Sequence, residues 1–433
     1  MPEKQVNIFW FRRDLRIEDN HGLSRALQAG LPVLPLYIFD TNILYSLPGE
    51  DARVNYIHLV LSNIDKSFQA ANSSLLVEAG DPPGVFERLI KAYSVSHVFY
   101  NEDYEPYAKA RDKHIATLLH ERGIGFHGHK DQLIFAPGEV LKDDGKPYTV
   151  YTPFMKRWKQ RFRREMVLPN QSVSLKGKSA REAFPFPTLD ELGFSPSPIK
   201  VPPYNLDKQL LENYSNTRNR PDWQGTTNLS THLRFGTISV RKAVEKALAY
   251  SEEFLNELIW REFFAHVLHF FPDSATHNFR KGFDLFPWEN DPDKIARWMS
   301  GITGFPLVDA GMRELVATGL MHNRVRMVTA SFLVKDLLVD WRIGEAFFAK
   351  HLLDYEQSSN VGNWQWAAGT GCDAAPFFRI FNPVEQQKRF DPDFVYVRKW
   401  VPEFGTSSYP PPMINHAEAR VRALEIYKSL RRG

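Results

Sequence analysis

The sequence predicts two domains of different class: an N-terminal α/β domain on a doubly wound parallel sheet, then an all-α C-terminal domain. Three observations predict this. Short apolar runs alternate with helical patterns over roughly residues 1–130. Helical periods dominate from about Leu206 onward. A chain of 433 residues also exceeds one ordinary domain, so each part can bury its own core.

The predicted strands are Val6–Phe11, Val33–Phe39, Leu75–Glu78 and His97–Tyr100, and helical patterns near Ala52–Ala70, Pro83–Ala92 and Tyr107–Glu121 separate them. Residues 131–205 change character. They hold many prolines, including Phe184-Pro185-Phe186-Pro187, and basic groups such as Lys156-Arg157, Lys159, Arg161 and Arg163-Arg164, which reads as a connector between domains. Over 206–433 the predicted helices are Val240–Ala249, Glu252–Phe270, Asp291–Met299, Val308–Thr318, Val325–Leu338, Ile343–Leu353 and His416–Leu430. Gly and Pro punctuate them.

Composition excludes some classes. The net charge is only +3, so a nucleic-acid partner has to be met by a local basic patch. The single cysteine, Cys372, excludes an internal disulfide framework and suggests a reducing compartment. Met1-Pro2-Glu3-Lys4 has no apolar signal stretch, and the longest apolar run, near Leu31–Phe39, is too short to span a bilayer. A cytoplasmic monomer without a membrane partner is expected.

Some motifs fail on context. Gly369-Thr370-Gly371-Cys372-Asp373-Ala374 matches a dinucleotide fingerprint but follows no strand, so it reads as a loop. His127-Gly128-His129 lacks further ligands at metal spacing and reads as a surface turn, so no metal is expected. Cys372 has no base partner in sequence and reads as a small buried hydrophobe.

Other segments carry more chemistry. Thr226, Thr227 and Ser230 precede a basic helix, where hydroxyls and free backbone N–H groups can hold a diphosphate or simply cap the helix. Glu257, Trp260 and Arg261 share one face of an otherwise apolar helix. Arg324 and Arg326 sit where a helix dipole disfavours cations, so they answer an anion, with Asp354 and Glu356 as candidates. Eight of the ten tryptophans lie in the C-terminal half, which core packing alone can explain.

Taken together, these segments resemble the photolyase/cryptochrome family, and class I cyclobutane pyrimidine dimer photolyases most closely. The resemblance covers nearly the whole chain. It is carried by Phe9-Trp10-Phe11-Arg12-Arg13-Asp14-Leu15-Arg16, by Trp260-Arg261-Glu262-Phe263-Phe264, by Asn323-Arg324-Val325-Arg326-Met327 and by Asn360-Val361-Gly362-Asn363-Trp364-Gln365-Trp366 through Asn382-Pro383.

The resemblance implies one FAD in the helical domain. Tyr214, Thr226, Thr227 and Ser230 match the segment around its phosphate and sugar parts, and Arg261 the same pocket wall. Arg326 and Asp354 match an ion pair beside the isoalloxazine, whose cation favours an anionic reduced ring. Glu356 matches a second acidic contact. Asn360 matches the residue facing flavin N5, an amide that cannot ionise. Trp364, Trp341 and Trp288 match a three-tryptophan relay that photoreduces the flavin. For the damaged bases, Trp260 and Trp366 match aromatic walls, Glu257 and Asn323 polar contacts, Met327 an apolar floor, and Arg324 a phosphate contact. Photolyases for the (6-4) product carry histidines where this chain has Asn323 and Met327.

The implied activity is light-dependent repair of cyclobutane pyrimidine dimers in UV-damaged DNA, a lyase reaction. A cryptochrome-type photoreceptor is the alternative, disfavoured because Arg431-Arg432-Gly433 follows the last helix without a signalling tail. Members of the family often hold a second, antenna chromophore in the N-terminal domain. Tyr107-Ala108 and Ala275 stand where folate-type members carry an Asn-Glu pair and a Lys, which argues against reduced folate and leaves deazaflavin, another pigment or an empty site open.

Overall fold

The computed structural model describes residues 5–170 and 173–429. The two chain ends read above, Met1–Lys4 and Leu430–Gly433, lie outside the described residues. Five strands form one sheet: β1 (Gln5–Phe11), β2 (Val33–Asp40), β3 (Leu76–Gly80), β4 (Ser94–Asn101) and β5 (Gly125–His129). Their order is β3-β2-β1-β4-β5 and every neighbouring pair is parallel. A side-chain period of two explains why β1 reads as an apolar run broken only by Asn7. Val6, Ile8 and Trp10 enter the core on one face, while Phe9 and Phe11 enter the core on the other.

Two elements of this sheet region differ from the reading of the sequence. His127-Gly128-His129 is not a surface turn but the end of β5. An edge strand needs no apolar run, which hid it. Helix His21–Gln28 is also added, capped by Asn20, whose side chain accepts from Leu23 N at 3.1 Å.

The chain divides into two compact units that interleave along the sequence rather than following a linear 1–130, 131–205, 206–433 order. The sheet unit takes residues up to Glu139, then Arg161–Tyr204 and Asn228–Lys246. The helical unit takes Val140–Gln160, Asn205–Thr227 and everything from Ala247. The segment expected as a connector is thus shared between them. Helix Tyr151–Arg161 buries Tyr151, Phe154 and Trp158 at helical spacing, and Trp158 Nε1 donates to Glu262 at 2.9 Å.

Within the helical unit, helix Glu252–Phe270 is capped by Ser251 and buries an apolar face. Helix Pro306–Thr318 ends on Gly319 at φ 71°, the left-handed geometry that favours glycine. Asn323–Ser331 continues as a π-helix through Asp336, and Trp341–His351 and Gln357–Ala368 follow. Trp298, Trp341 and Trp364 sit in the core these helices enclose. Gly369, the cap of Gln357–Ala368, opens the loop that holds Cys372, so the dinucleotide-like string is a loop as read. Cys372 is buried, donates to the Thr149 carbonyl at 2.9 Å, and is pushed up to about 12 by burial. No group of three or more metal-ligating side chains occurs among the described residues. None of the described helices is long and apolar enough to cross a membrane.

Candidate functional site

Helix Asn323–Ser331 begins at His322, whose Nδ1 accepts from Arg324 N at 3.1 Å. Burial, helped by Arg324, Arg326 and Arg218, drops this imidazole to about 4, so it is neutral and free to accept. Along the helix, Asn323 and Met327 share a face by i, i+4 spacing, with Arg326 beside them. Arg326 Nη2 pairs with Asp354 at 2.9 Å while its Nε donates to the Met321 carbonyl at 2.7 Å. The expected ion pair is present.

Helix Gln357–Ala368 brings the second set. Asn360 and Trp364 are one turn apart, and Glu356 precedes the first turn. A cavity of about 90 Å³ lies between these helices. Asn323, Arg326 and Met327 line it from one helix, Asp354 and Glu356 from the intervening turn, and Asn360, Trp364 and Trp366 from the next. The structure therefore converges eight of the expected site residues on one cavity.

Two partners were not legible in the sequence. Asn360 Nδ2 donates to Glu345 Oε1 at 2.9 Å and to the Glu345 carbonyl at 3.2 Å, which fixes the amide. Burial pushes the Glu345 carboxyl up, against the pull of Asn360 and Tyr355. Arg261 pairs with Glu356 at 2.8 Å, and Ser359 also donates to that carboxylate at 3.2 Å.

The remaining expected residues lie outside that lining. Glu257 accepts from Arg218 at 2.6 Å, and burial raises its carboxyl against that pairing. Trp260 lies flat on Tyr151, ring centroids 3.6 Å apart and 7° from parallel, so a residue of the presumed connector covers one of its faces. Arg324 donates to Asn219 at 2.8 Å and stacks over Phe390 at 4.4 Å. Tyr214 is buried against Phe254, and Thr227 is buried with its carbonyl accepting from Asn205 N at 2.8 Å. Thr226 is half-buried in the same segment. Ser230 opens the short helix Ser230–Phe235 of the other unit, with no side-chain cap bond, so the plain capping role does not describe this segment.

The three tryptophans grade outward. Trp364 lines the cavity and Trp341 is buried, its Nε1 donating to Asn278 at 2.9 Å; Trp288 is half-buried against Phe286, 4.0 Å between centroids. Gly344 explains how the first two come near. A Cβ there would stand 2.2 Å from the Trp364 ring, so the indole rests directly on the helix one turn after Trp341.

The donor set suits the redox-active ring of a flavin: a guanidinium anchored by one carboxylate, an amide that cannot ionise, and aromatic walls. Comparison with known proteins agrees. Residues 7–172 match the family described as DNA photolyase, and residues 254–407 the FAD binding domain of DNA photolyase. The deoxyribodipyrimidine photo-lyase of Synechococcus sp. is 36% identical over 98% of this chain and 96% of its own. A class III photolyase from Agrobacterium tumefaciens superposes with a TM-score of 0.89 at 32% identity, covering 100% of this chain and 99% of that one. An archaeal photolyase from Sulfolobus tokodaii, a structure with two FAD molecules, gives 0.86 at 32% identity, over 98% of this chain and 100% of that one. By sequence along its whole length and by fold, the chain belongs to the photolyase/cryptochrome family.

Proposed function

We propose that this chain repairs cyclobutane pyrimidine dimers in DNA, driven by light, with FAD held in its helical unit. The observation that carries the reading is the single cavity where Arg326–Asp354 and the fixed Asn360 amide meet Asn323, Met327 and Trp366. Held by Arg326, Asp354 and Asn360, reduced FAD would supply the light-driven electron-transfer chemistry that ring opening needs, with no net redox change.

The chain's own residues do the rest. Arg326 places positive charge where an anionic ring is to be held, and Asp354 anchors the guanidinium. Asn360, oriented by Glu345, offers a hydrogen bond that cannot become a competing proton transfer. Arg261, Glu356, Tyr214, Thr226 and Thr227 are proposed to hold the rest of the cofactor. Trp364, Trp341 and Trp288 are proposed to pass electrons inward. The flipped-out bases find Asn323 and Glu257 for hydrogen bonds, Met327, Trp260 and Trp366 for contact, and Arg324 for an adjacent phosphate. No nucleophile or general base is required.

The sheet unit is proposed as the antenna domain. At the ligand end of its strands, Arg12 pairs with Asp112 at 2.6 Å and Tyr107 donates to Asp40 at 2.6 Å, in the place where such sheets bind ligands.

The test is direct. Reduced, flavin-loaded protein is illuminated with an oligonucleotide carrying one thymine dimer, and intact thymines are measured. Repair that needs light supports the proposal; turnover in darkness, or none in light, overturns it.

A further inference from the structure

Several large apolar side chains of the helical unit stand exposed, and Trp223 is the tryptophan among them. Trp223 is 51% exposed, in a loop that is otherwise tightly held. Thr217 Oγ1 donates to the Gly225 carbonyl at 3.2 Å and pinches the loop shut. Gly225 is required there, because a Cβ would meet the Thr217 Cβ at 2.5 Å and its carbonyl oxygen at 2.8 Å. Inside the loop, Arg220 N reaches the Thr217 carbonyl at 2.9 Å and Trp223 N the Arg220 carbonyl at 3.2 Å.

The indole is also backed. The Arg220 guanidinium lies 4.4 Å from the ring centroid, and Asp222 grips Arg220 through Nε at 2.8 Å. A loosely displayed tryptophan would need none of this. The same loop touches the helix that lines the cavity, since Asn219 accepts from Arg324 at 2.8 Å. Arg324 and Arg389 both stack over Phe390, at 4.4 and 5.1 Å, and neither has a carboxylate partner among the described residues. Arg324 Nε is buried and unpartnered. By contrast, Arg218 and Arg220 are neutralised by Glu253, Glu257 and Asp222 and offer little to a phosphate.

An aromatic plate on a loop tied through Asn219 to Arg324, which shares Phe390 with Arg389, matches the chemistry of a nucleic-acid strand: a flat base next to phosphates. We propose that Trp223 stacks on an unstacked base of damaged DNA next to the lesion cavity, with Arg324 and Arg389 on the neighbouring phosphates. The proposal rests on the repair reading and adds to it a contact outside the cavity. Extruding a dimer disturbs the stack around it, so such a base is offered by damaged duplex and not by intact duplex.

The experiment compares flavin-loaded parent protein, Trp223→Ala, Trp223→Phe and Arg389→Ala. Each is titrated with a duplex bearing one thymine dimer and with the same duplex undamaged, across a salt series. Trp223→Ala is expected to weaken binding to the damaged duplex by about tenfold and to the undamaged one much less. Trp223→Phe retains most of the affinity, and the salt dependence is the same in both Trp223 variants as in the parent. Arg389→Ala instead lowers the salt slope by about one. Repair per flash at saturating DNA stays at the parental level in Trp223→Ala.

Parental affinity in Trp223→Ala overturns the proposal and leaves the plate to some other partner. Equal losses on both duplexes overturn it too, as does a Trp223→Phe defect as large as that of Trp223→Ala. If the parent repairs dimers while these results are obtained, only the stacking proposal fails. If the parent neither binds nor repairs them, the repair reading fails with it.

Discussion

Adding one methyl group at Gly344 tests how Trp364 is placed. A Cβ there would lie 2.2 and 2.4 Å from two Trp364 ring carbons and 2.7 Å from Leu333 Cδ2. Ordinary contact begins near 3.4 Å. Trp364 is 2% exposed and Leu333 is fully buried, so neither swings into solvent. The indole has to retreat from the helix that carries Trp341, toward the cavity it lines. Overpacking of this kind costs roughly 1–3 kcal/mol. At about 2–4 °C per kcal/mol for a domain of this size, melting falls by roughly 2–12 °C. Gly311→Ala is the matched control, because its Cβ would meet Val325 Cγ1 at 2.3 Å in the same core without touching a tryptophan. The assay is blue-light photoreduction of the oxidised holoprotein with an external reductant, read by absorbance at a temperature where all variants are folded. Gly344→Ala is expected to slow photoreduction while Gly311→Ala does not, at similar losses of stability. Equal photoreduction rates would refute both the relay reading and the placement argued from Gly344.

Three further outcomes follow from the same geometry. Glu345→Ala leaves the Asn360 amide only its bond to the backbone carbonyl at 345 and costs about 1 kcal/mol in thermal unfolding, whereas Glu345→Gln keeps a side-chain acceptor and restores both stability and the flavin spectrum; equal spectra in all three proteins would show that the Glu345 carboxylate does not orient the amide. His266 is 3% exposed and held down to about 4, chiefly by burial, from an ordinary value of 6.5. Its folded value lies below its unfolded one, so below pH 6.5 the unfolded chain takes the proton first, and stability falls as the pH drops toward 4, by about 3 kcal/mol in all; His266→Leu should flatten that part of a denaturation profile. Tyr151→Ala removes the ring on which Trp260 rests and should weaken dimer-DNA binding, while Tyr151→Phe preserves it; identical affinities would mean the stack only packs the core.

How much was legible in the sequence depended on which physical signal each element carries. β1, β2 and β4 were visible because strands buried on both faces read as apolar runs. β5 was not, since Gly125–His129 is a half-exposed edge. Helix Gln357–Ala368 left no amphipathic stripe. The side chains it buries include Ser358, Asn360 and Gln365; Glu345 satisfies Asn360, and the Ser274 and His277 carbonyls satisfy Gln365. Its residues were found by family resemblance, not by periodicity. The unit boundaries were missed for a related reason. Proline and basic residues in 131–205 mask the Tyr151, Phe154, Trp158 spacing that would have placed this stretch against helix Glu252–Phe270.

Partners were harder to read than site residues, and the reason is geometric. Arg218, Asn219, Glu345 and Tyr151 are each distant in sequence from what they hold, so no spacing rule reaches them. Motif matching went further and pointed to class I, whereas the comparisons show the family alone: a class III photolyase carries the same fold at a TM-score of 0.89. Yet these partners decide what the matched residues can do. Asn360 without Glu345 is a rotatable amide, and Trp260 without Tyr151 is a mobile plate. A motif names the groups that meet the ligand; the residues behind them set whether those groups are still there, in the same orientation, when the ligand arrives.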